Sequence, residues 1–270
     1  MILDIYKDSL KYSSKNKKSV LTIGILSLLS FLIIPIIAIS GYLYRIVEIG
    51  LEGIINTEMM LNTKDLEFNN YTNLFKEGLK LLAITITYLL IPIIITSIFL
   101  TQFNFMITNI NNNYQLALSL EIFLIILITG LIGFIFINVA IPHMIKNESL
   151  KAGYNIKDLI KIIKSVGIGE YILYSISSLM LLFSSTIMIF LIVQLLTSML
   201  ESVLNFLSIN THWIILGIPY DLVLYGLVMI LIIFPIYLIF QTRSMALLYE
   251  TNDIDEDEDT AYIEEDIDFM

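Results

Sequence analysis

The sequence predicts an all-α fold: a polytopic transmembrane helical bundle with cytoplasmic interfacial amphipathic helices. Three observations predict it. The 270 residues are 57% hydrophobic and 15% charged, against about 45–50% and about 25% in soluble domains, too little polar surface for a water-soluble core. Five apolar runs approach or exceed the roughly 20 residues that span a bilayer. Acids and bases are also sorted along the chain, not scattered.

The sorting explains the net charge of −10. Glu250 to Met270 holds eleven acids and no Lys or Arg, and the rest of the chain balances fourteen acids against fifteen bases. Neither part carries the basic stripe of a nucleic-acid binder. With no cysteine, disulfides, thiolate metal sites and cysteine nucleophiles are excluded. The first apolar run follows a long charged lead and no small-residue cleavage site follows it, so it is expected to stay in the mature protein.

Three regions follow. Residues 1–18 form an amphipathic basic lead. Residues 19–249 form the transmembrane domain, with apolar segments 19–44, 79–100, 118–141, 171–196 and 220–240. Residues 250–270 form an acidic tail, expected to be disordered. The stretch Thr197–Leu216 is more polar and is left open as a further entry into the membrane.

Lys and Arg in short flanks set orientation. They precede the first run (Lys7, Lys11, Lys15, Lys17, Lys18), separate the first from the second (Arg45, Lys64, Lys76, Lys80), separate the third from the fourth (Lys146 to Lys164), and follow the fifth (Arg243). The loops Thr101–Ala117 and Thr197–Pro219 have none. Four flanks therefore read as cytoplasmic and two as outside, which places the N-terminus and the tail in the cytoplasm of a cell-membrane protein. Bases on both sides of the first run imply an even number of crossings there. One reading has 19–51 enter, break near Pro35 or Gly41, and return. The other is a single tilted span with Arg45 and Lys64 outside.

Three basic stretches lead into apolar runs at Tyr6–Lys11, Tyr71–Lys80 and Tyr154–Lys164. In the last, Ile156, Leu159, Ile160, Ile163 and Val166 recur at helical spacing, with Lys157, Lys161 and Lys164 on another side, as in a helix lying among anionic head groups. Ile34-Pro35-Ile36-Ile37 and Ile91-Pro92-Ile93-Ile94 repeat the same letters, which suggests a loose internal repeat.

Candidate chemistry is sparse. His143 and His212 fall on opposite faces, too far apart for one metal. Glu121, Glu170 and Asp221 form a speculative polar pathway, yet each lies near the start of its span, where an acid costs little. Ser175, Ser177, Ser178, Ser184, Ser185 and Thr186 either line a watery path or allow close helix packing, and packing is favoured. Asp253, Asp255, Asp257, Asp259 and Glu264 fit a calcium-loop spacing, but Glu258 stands where the turn needs glycine. No catalytic, cofactor or metal set is expected, nor the motifs of phosphate-binding loops or serine and zinc hydrolases.

Gly41-Tyr42-Leu43-Tyr44-Arg45, then Leu74-Phe75-Lys76-Glu77-Gly78-Leu79-Lys80, then Tyr88 and Pro92, then Pro142 and the Leu150–Asn155 segment with Gly153, resemble in spacing domain-of-unknown-function family 4013. This is a family of uncharacterised, mainly archaeal multi-pass membrane proteins. The resemblance spans most of Met1–Tyr249. It departs at Leu66–Tyr71, where the family's proline, paired acids and tryptophan are replaced, and at the acidic tail. It implies a membrane fold and no activity. The sequence is read as a non-catalytic membrane module that organises lipid or protein partners, its acidic tail available to a cytoplasmic protein. The alternative is a small transporter or permease-like unit, and a membrane-lipid enzyme ranks last.

Overall fold

Apolar runs flanked by lysines become helices because a helix satisfies every backbone hydrogen bond internally. The computed structural model describes residues 1–15, 17–51, 70–107, 112–206, 214–215 and 218–267. In order these are α1 (Ile2–Lys15), α2 (Lys17–Leu28), α3 (Ile33–Leu51), α4 (Tyr71–Ile107), α5 (Asn112–Lys146), a 3₁₀ turn Ala152–Tyr154, α6 (Ile156–Val166), α7 (Ile168–Phe206), α8 (Tyr220–Val228), a π turn Met229–Ile233 and α9 (Phe234–Ile267). A two-residue antiparallel pairing joins β1 (Ile214–Ile215) to β2 (Ile218–Pro219). Among the described residues, five helical stretches are long and apolar enough to cross a membrane, judged by length and composition: Ile33–Leu51, Tyr71–Phe99, Phe123–Lys146, Ile168–Leu204 and Tyr220–Thr251.

The first apolar run is two helices. The turn at Leu29–Leu32 folds α2 back on α3, and the Tyr42 hydroxyl donates to Ser19 Oγ across the pair. Residues 19 and 42 lie equally far from that turn, as an antiparallel hairpin requires. The break is therefore upstream of Pro35 and Gly41, where the sequence reading placed it. Pro35 is the third residue of α3, where an N–H has no intrahelical partner and proline is tolerated.

Deeper prolines have another effect. A proline leaves the carbonyl four residues earlier without its helical partner, and at two places a glycine of a neighbouring helix covers it. Pro92 frees the Tyr88 carbonyl, and a β-carbon at Gly133 of α5 would lie 3.1 Å from that oxygen and 3.2 Å from the Pro92 ring. Pro235 frees the Leu231 carbonyl, and a β-carbon at Gly24 of α2 would lie 2.4 Å from it. The π turn is here: the Phe234 N–H reaches back five residues to Met229 O.

Burial is concentrated at one end. Tyr42, Ile46, Leu74, Ile84, Ala140, Met144, Leu159, Tyr171, Tyr174, Phe240 and Leu248 belong to one buried cluster with Ile5 and Tyr6. This is the end that carries Arg45, Lys80, Lys146 and Arg243, and α1 and α6 pack across it. Toward the far end the spans bare their side chains: Met180 is 66% exposed and Phe183 64%. Leaving such groups in water forgoes about 1.5–3 kcal/mol each. Lipid removes that penalty, and the same pattern repeats along α4, α5 and α7.

The helices outrun the apolar segments read from sequence. α7 has 39 residues, about 58 Å at 1.5 Å per residue, and takes in the first part of Thr197–Leu216. Residues 207–213 and His212 lie outside the described set, as does most of 52–70, with Lys64 and all but the end of Leu66–Tyr71. α9 carries helical backbone to Ile267, through a tail expected to be disordered. A helix extended from the anchored Phe234–Thr251 needs no fresh nucleus, which is the costly step for an isolated segment.

Candidate functional site

One group of polar residues meets where α1, α5, α7 and α9 converge. α9 contributes Gln241, Arg243 and Ser244, the first polar residues after an apolar run. Gln241 Nε2 donates to Asn138 Oδ1 of α5 at 2.8 Å, and its Oε1 accepts from the Ser178 hydroxyl of α7. Ser178 is also 3.3 Å from the Tyr237 hydroxyl. One turn along α7, the Tyr174 hydroxyl meets Ser244 Oγ at 2.8 Å. All of these except Tyr237 are buried.

α1 closes the junction from below. The Tyr6 hydroxyl donates to the Tyr174 carbonyl at 2.8 Å and lies 2.6 Å from Ser177 Oγ. Burial pushes the Tyr6 phenol above its ordinary range, so it remains a protonated donor. Arg243 Nε donates to Asp8 Oδ2 at 3.2 Å, and its guanidinium lies 5.2 Å from the centre of the Tyr12 ring. Burial also raises Tyr12, partly offset by the Arg243 charge. On the α5 side, His143 Nδ1 is 2.8 Å from the Tyr249 hydroxyl and 3.2 Å from Asn147 Nδ2, while Lys146 pairs with Glu250 at 3.5 Å. Each of these contacts joins two elements or two turns of one helix. Among the described residues no group of three or more His, Asp or Glu is placed to hold a metal.

Of the predicted pathway residues, Glu170 and Asp221 are far apart. Glu170 sits half-buried in the first turn of α7, where the helix dipole favours an acid. Asp221 lies in the first turn of α8 and accepts from Gln194 Nε2 at 2.7 Å. Gln194 is 24 residues beyond Glu170 on the same helix, about 36 Å away. Glu121 is on α5, and its side chain is outside the described set. The serines divide as well. Ser177 and Ser178 join the junction, whereas Ser184, Ser185 and Thr186 bond back to carbonyls of α7 itself.

The motif positions have structural roles at the same end. Gly41 and Gly78 sit where α3 crosses α4: a β-carbon at Gly41 would lie 2.0 Å from Leu74 O, and one at Gly78 2.1 Å from Ile37 O. Tyr42 ties α3 to α2. Arg45 Nε donates to Glu77 Oε2 at 2.8 Å, fastening the end of α3 to the start of α4. The Tyr88 hydroxyl donates to Gly153 O at 2.8 Å, and Gly153 is pressed against Ile84 and Ala140. Pro92 packs on Gly133, Pro142 is buried in the last turns of α5, and Phe75 and Lys80 are half-buried on α4.

This spacing now has a match. The model of a protein family described as a protein of unknown function, DUF4013, matches residues 27–201, more than half of the chain. The chain belongs to the DUF4013 family. It is thus a membrane protein with several apolar helices. No curated protein and no solved structure matches it. All ten motif positions, Gly41 to Gly153, fall inside the DUF4013 match, whereas Asp8, Gln241, Arg243 and the tail fall outside it.

The junction eluded sequence reading because its pairs are far apart in the chain, 103 residues for Asn138 with Gln241 and 235 for Asp8 with Arg243. The available signal was the run Gln241-Thr242-Arg243-Ser244, four polar residues inside the helix that leaves the last span. Replacing Tyr88 by Phe tests the lighter ties: it strands the buried Gly153 carbonyl, and unfolding in detergent should show a loss of about 1–2 kcal/mol.

Proposed function

We propose that this protein is a non-catalytic membrane module that organises lipid or protein partners at the basic end of its bundle. That end faces the cytoplasm, following the distribution of Lys and Arg, with the acidic tail on the same side and open to a basic protein partner. The observation that carries the reading is where the polar groups are placed. The buried polar ties between helices gather at the basic end, with the Gln194–Asp221 and Tyr220–Glu201 contacts at the other, and Glu170 and Asp221 stand about 36 Å apart on α7 and its neighbour instead of lining a common path. A transporter needs a site near the middle of the membrane, commonly on interrupted helices. Here the interruptions at Pro92 and Pro235 are covered by glycines of adjacent helices.

Reconstitution of the full chain into sealed vesicles tests this. Proton, monovalent-cation and small-anion fluxes should equal those of protein-free vesicles. A protein-dependent flux that falls with Glu170→Gln or Asp221→Asn would instead make it a transporter.

A further inference from the structure

We infer that α6 is a binding surface for anionic lipid, with Lys157, Lys161 and Lys164 facing the phosphates of the membrane's own head groups. The inference deepens the proposed function and rests on it.

α6 is held in place from both ends. It follows the end of α5 through the Ala152–Tyr154 turn and is joined to α7 by Gly167, whose φ of 110° a residue with a β-carbon rarely adopts. Both neighbours are spans, so α6 is confined to the level where those spans leave the hydrocarbon. It cannot lie deep in the membrane or far above it.

The circumference of α6 then divides into three parts. Leu159 and Ile162 are buried against the bundle, with Ile163 and Val166 partly covered beside them. Next round the helix come Ile156 and Ile160, 54% and 40% exposed although they are isoleucines. The lysines follow, all three exposed, and none makes an ion pair with a described residue. Asp158, the one acid of α6, accepts from Asn155 and sits beyond the lysine row. A bare aliphatic edge beside a row of cations is the cross-section of a helix at the lipid interface: the isoleucines enter the acyl region and the lysine stems carry their charges up to the phosphates. A water-facing helix would gain nothing from Ile156 and Ile160. An acidic peptide would satisfy the lysines and leave that edge in water. Anionic lipid satisfies both parts, and so it is the occupant the surface fits.

The test uses the full chain in bilayers made of equal parts phosphatidylglycerol and phosphatidylcholine, with Ile160→Trp as a reporter and the native Trp213 changed to Phe. One lipid or the other carries bromine as a quencher. Quenching by brominated phosphatidylglycerol should exceed that by brominated phosphatidylcholine roughly fivefold at low salt, and the ratio should approach one as salt is raised. K157Q/K161Q/K164Q should bring the ratio to about one at any salt, while K157R/K161R/K164R should keep it high. The salt titration requires no lysine change, so it decides the matter even if the glutamine variant folds poorly.

Equal quenching by both lipids at low salt overturns the inference, as does a preference that survives in the glutamine variant. Absence of quenching by either lipid until residues 252–270 are deleted would make the acidic tail the occupant, and would also overturn it. A flat ratio alongside absent flux leaves the proposed module standing and removes only its lipid partner.

Discussion

Gly78→Leu is expected to unfasten α3 from α4 and to destabilise the chain by about 3 kcal/mol, the upper end of overpacking penalties. The reason is that the contact is backbone against backbone. A β-carbon at position 78 would meet Ile37 O at 2.1 Å and the Gly41 nitrogen at 2.9 Å, neither of which can rotate away as a side-chain tip would. Gly41 faces the same crossing, with Leu74 O at 2.0 Å from its would-be β-carbon. Gly78→Ala should therefore already cost about 1–3 kcal/mol, and adding Gly41→Ala should cost less than the sum, because once the helices move apart both clashes are relieved. Unfolding of the purified chain in detergent, read by loss of helix signal, measures all three variants. Gly130→Ala is the control, since nothing lies within 4 Å of its would-be β-carbon; it should change stability little or raise it slightly, as alanine favours helix over glycine. Wild-type stability in Gly78→Leu would mean that α3 and α4 do not cross there.

The same crossing shows what could be read in advance. Gly41, Arg45 and Gly78 stood out as spaced letters of a family pattern, and the structure gives them one purpose, the close fastening of α3 to α4 through the glycines and the Arg45–Glu77 pair. The sorting of lysines was legible too, because it is a one-dimensional property: among the described residues Arg45, Lys80, Lys146 and Arg243 come to one end. The break in the first run was legible only in kind. Pro35 announces the start of a helix a few residues before itself, and reading it as a kink moved the break downstream of Leu29–Leu32. The three-part repeat was half-real. α1 and α6 are separate amphipathic helices, but Tyr71–Lys80 runs unbroken into α4, because no residue like Gly167 divides it from the apolar run. The junction was illegible for a different reason. Which turn of α9 faces Asn138, and which faces Asp8, depends on how whole helices are rotated about their axes, and local periodicity in a chain apolar on all sides does not set that rotation.

That rotation can be tested through Arg243, among the largest fully buried side chains of the described residues. Its side chain is 2% exposed, whereas that of Asp8 is 22% exposed, and the asymmetry decides which substitution is worse. Asp8→Ala removes a carboxylate partner of a guanidinium whose side chain is only 2% exposed, and losing one partner of a buried ion pair is costly. Because Asp8 is partly solvated, the cost should be nearer 2 kcal/mol than the 3–5 kcal/mol of fully buried pairs. Arg243→Met leaves a carboxylate that can turn to water, and should cost less than Asp8→Ala. The double variant should recover most of the loss, since an aliphatic chain suits the space beside Tyr12. The loss should be local to α1, whose remaining ties to α7 run through Tyr6. The chain has no cysteine of its own, so Ser9→Cys, at a buried position on α1, gives a single maleimide-reactive site. Its labelling should be slow in the parent background and about 30-fold faster with Asp8→Ala, the factor corresponding to 2 kcal/mol of opening. Arg243→Met should label more slowly than that, and the double variant close to the parent. Equal labelling in all four backgrounds would mean that α1 is not held by Arg243 and that α9 presents another face to it.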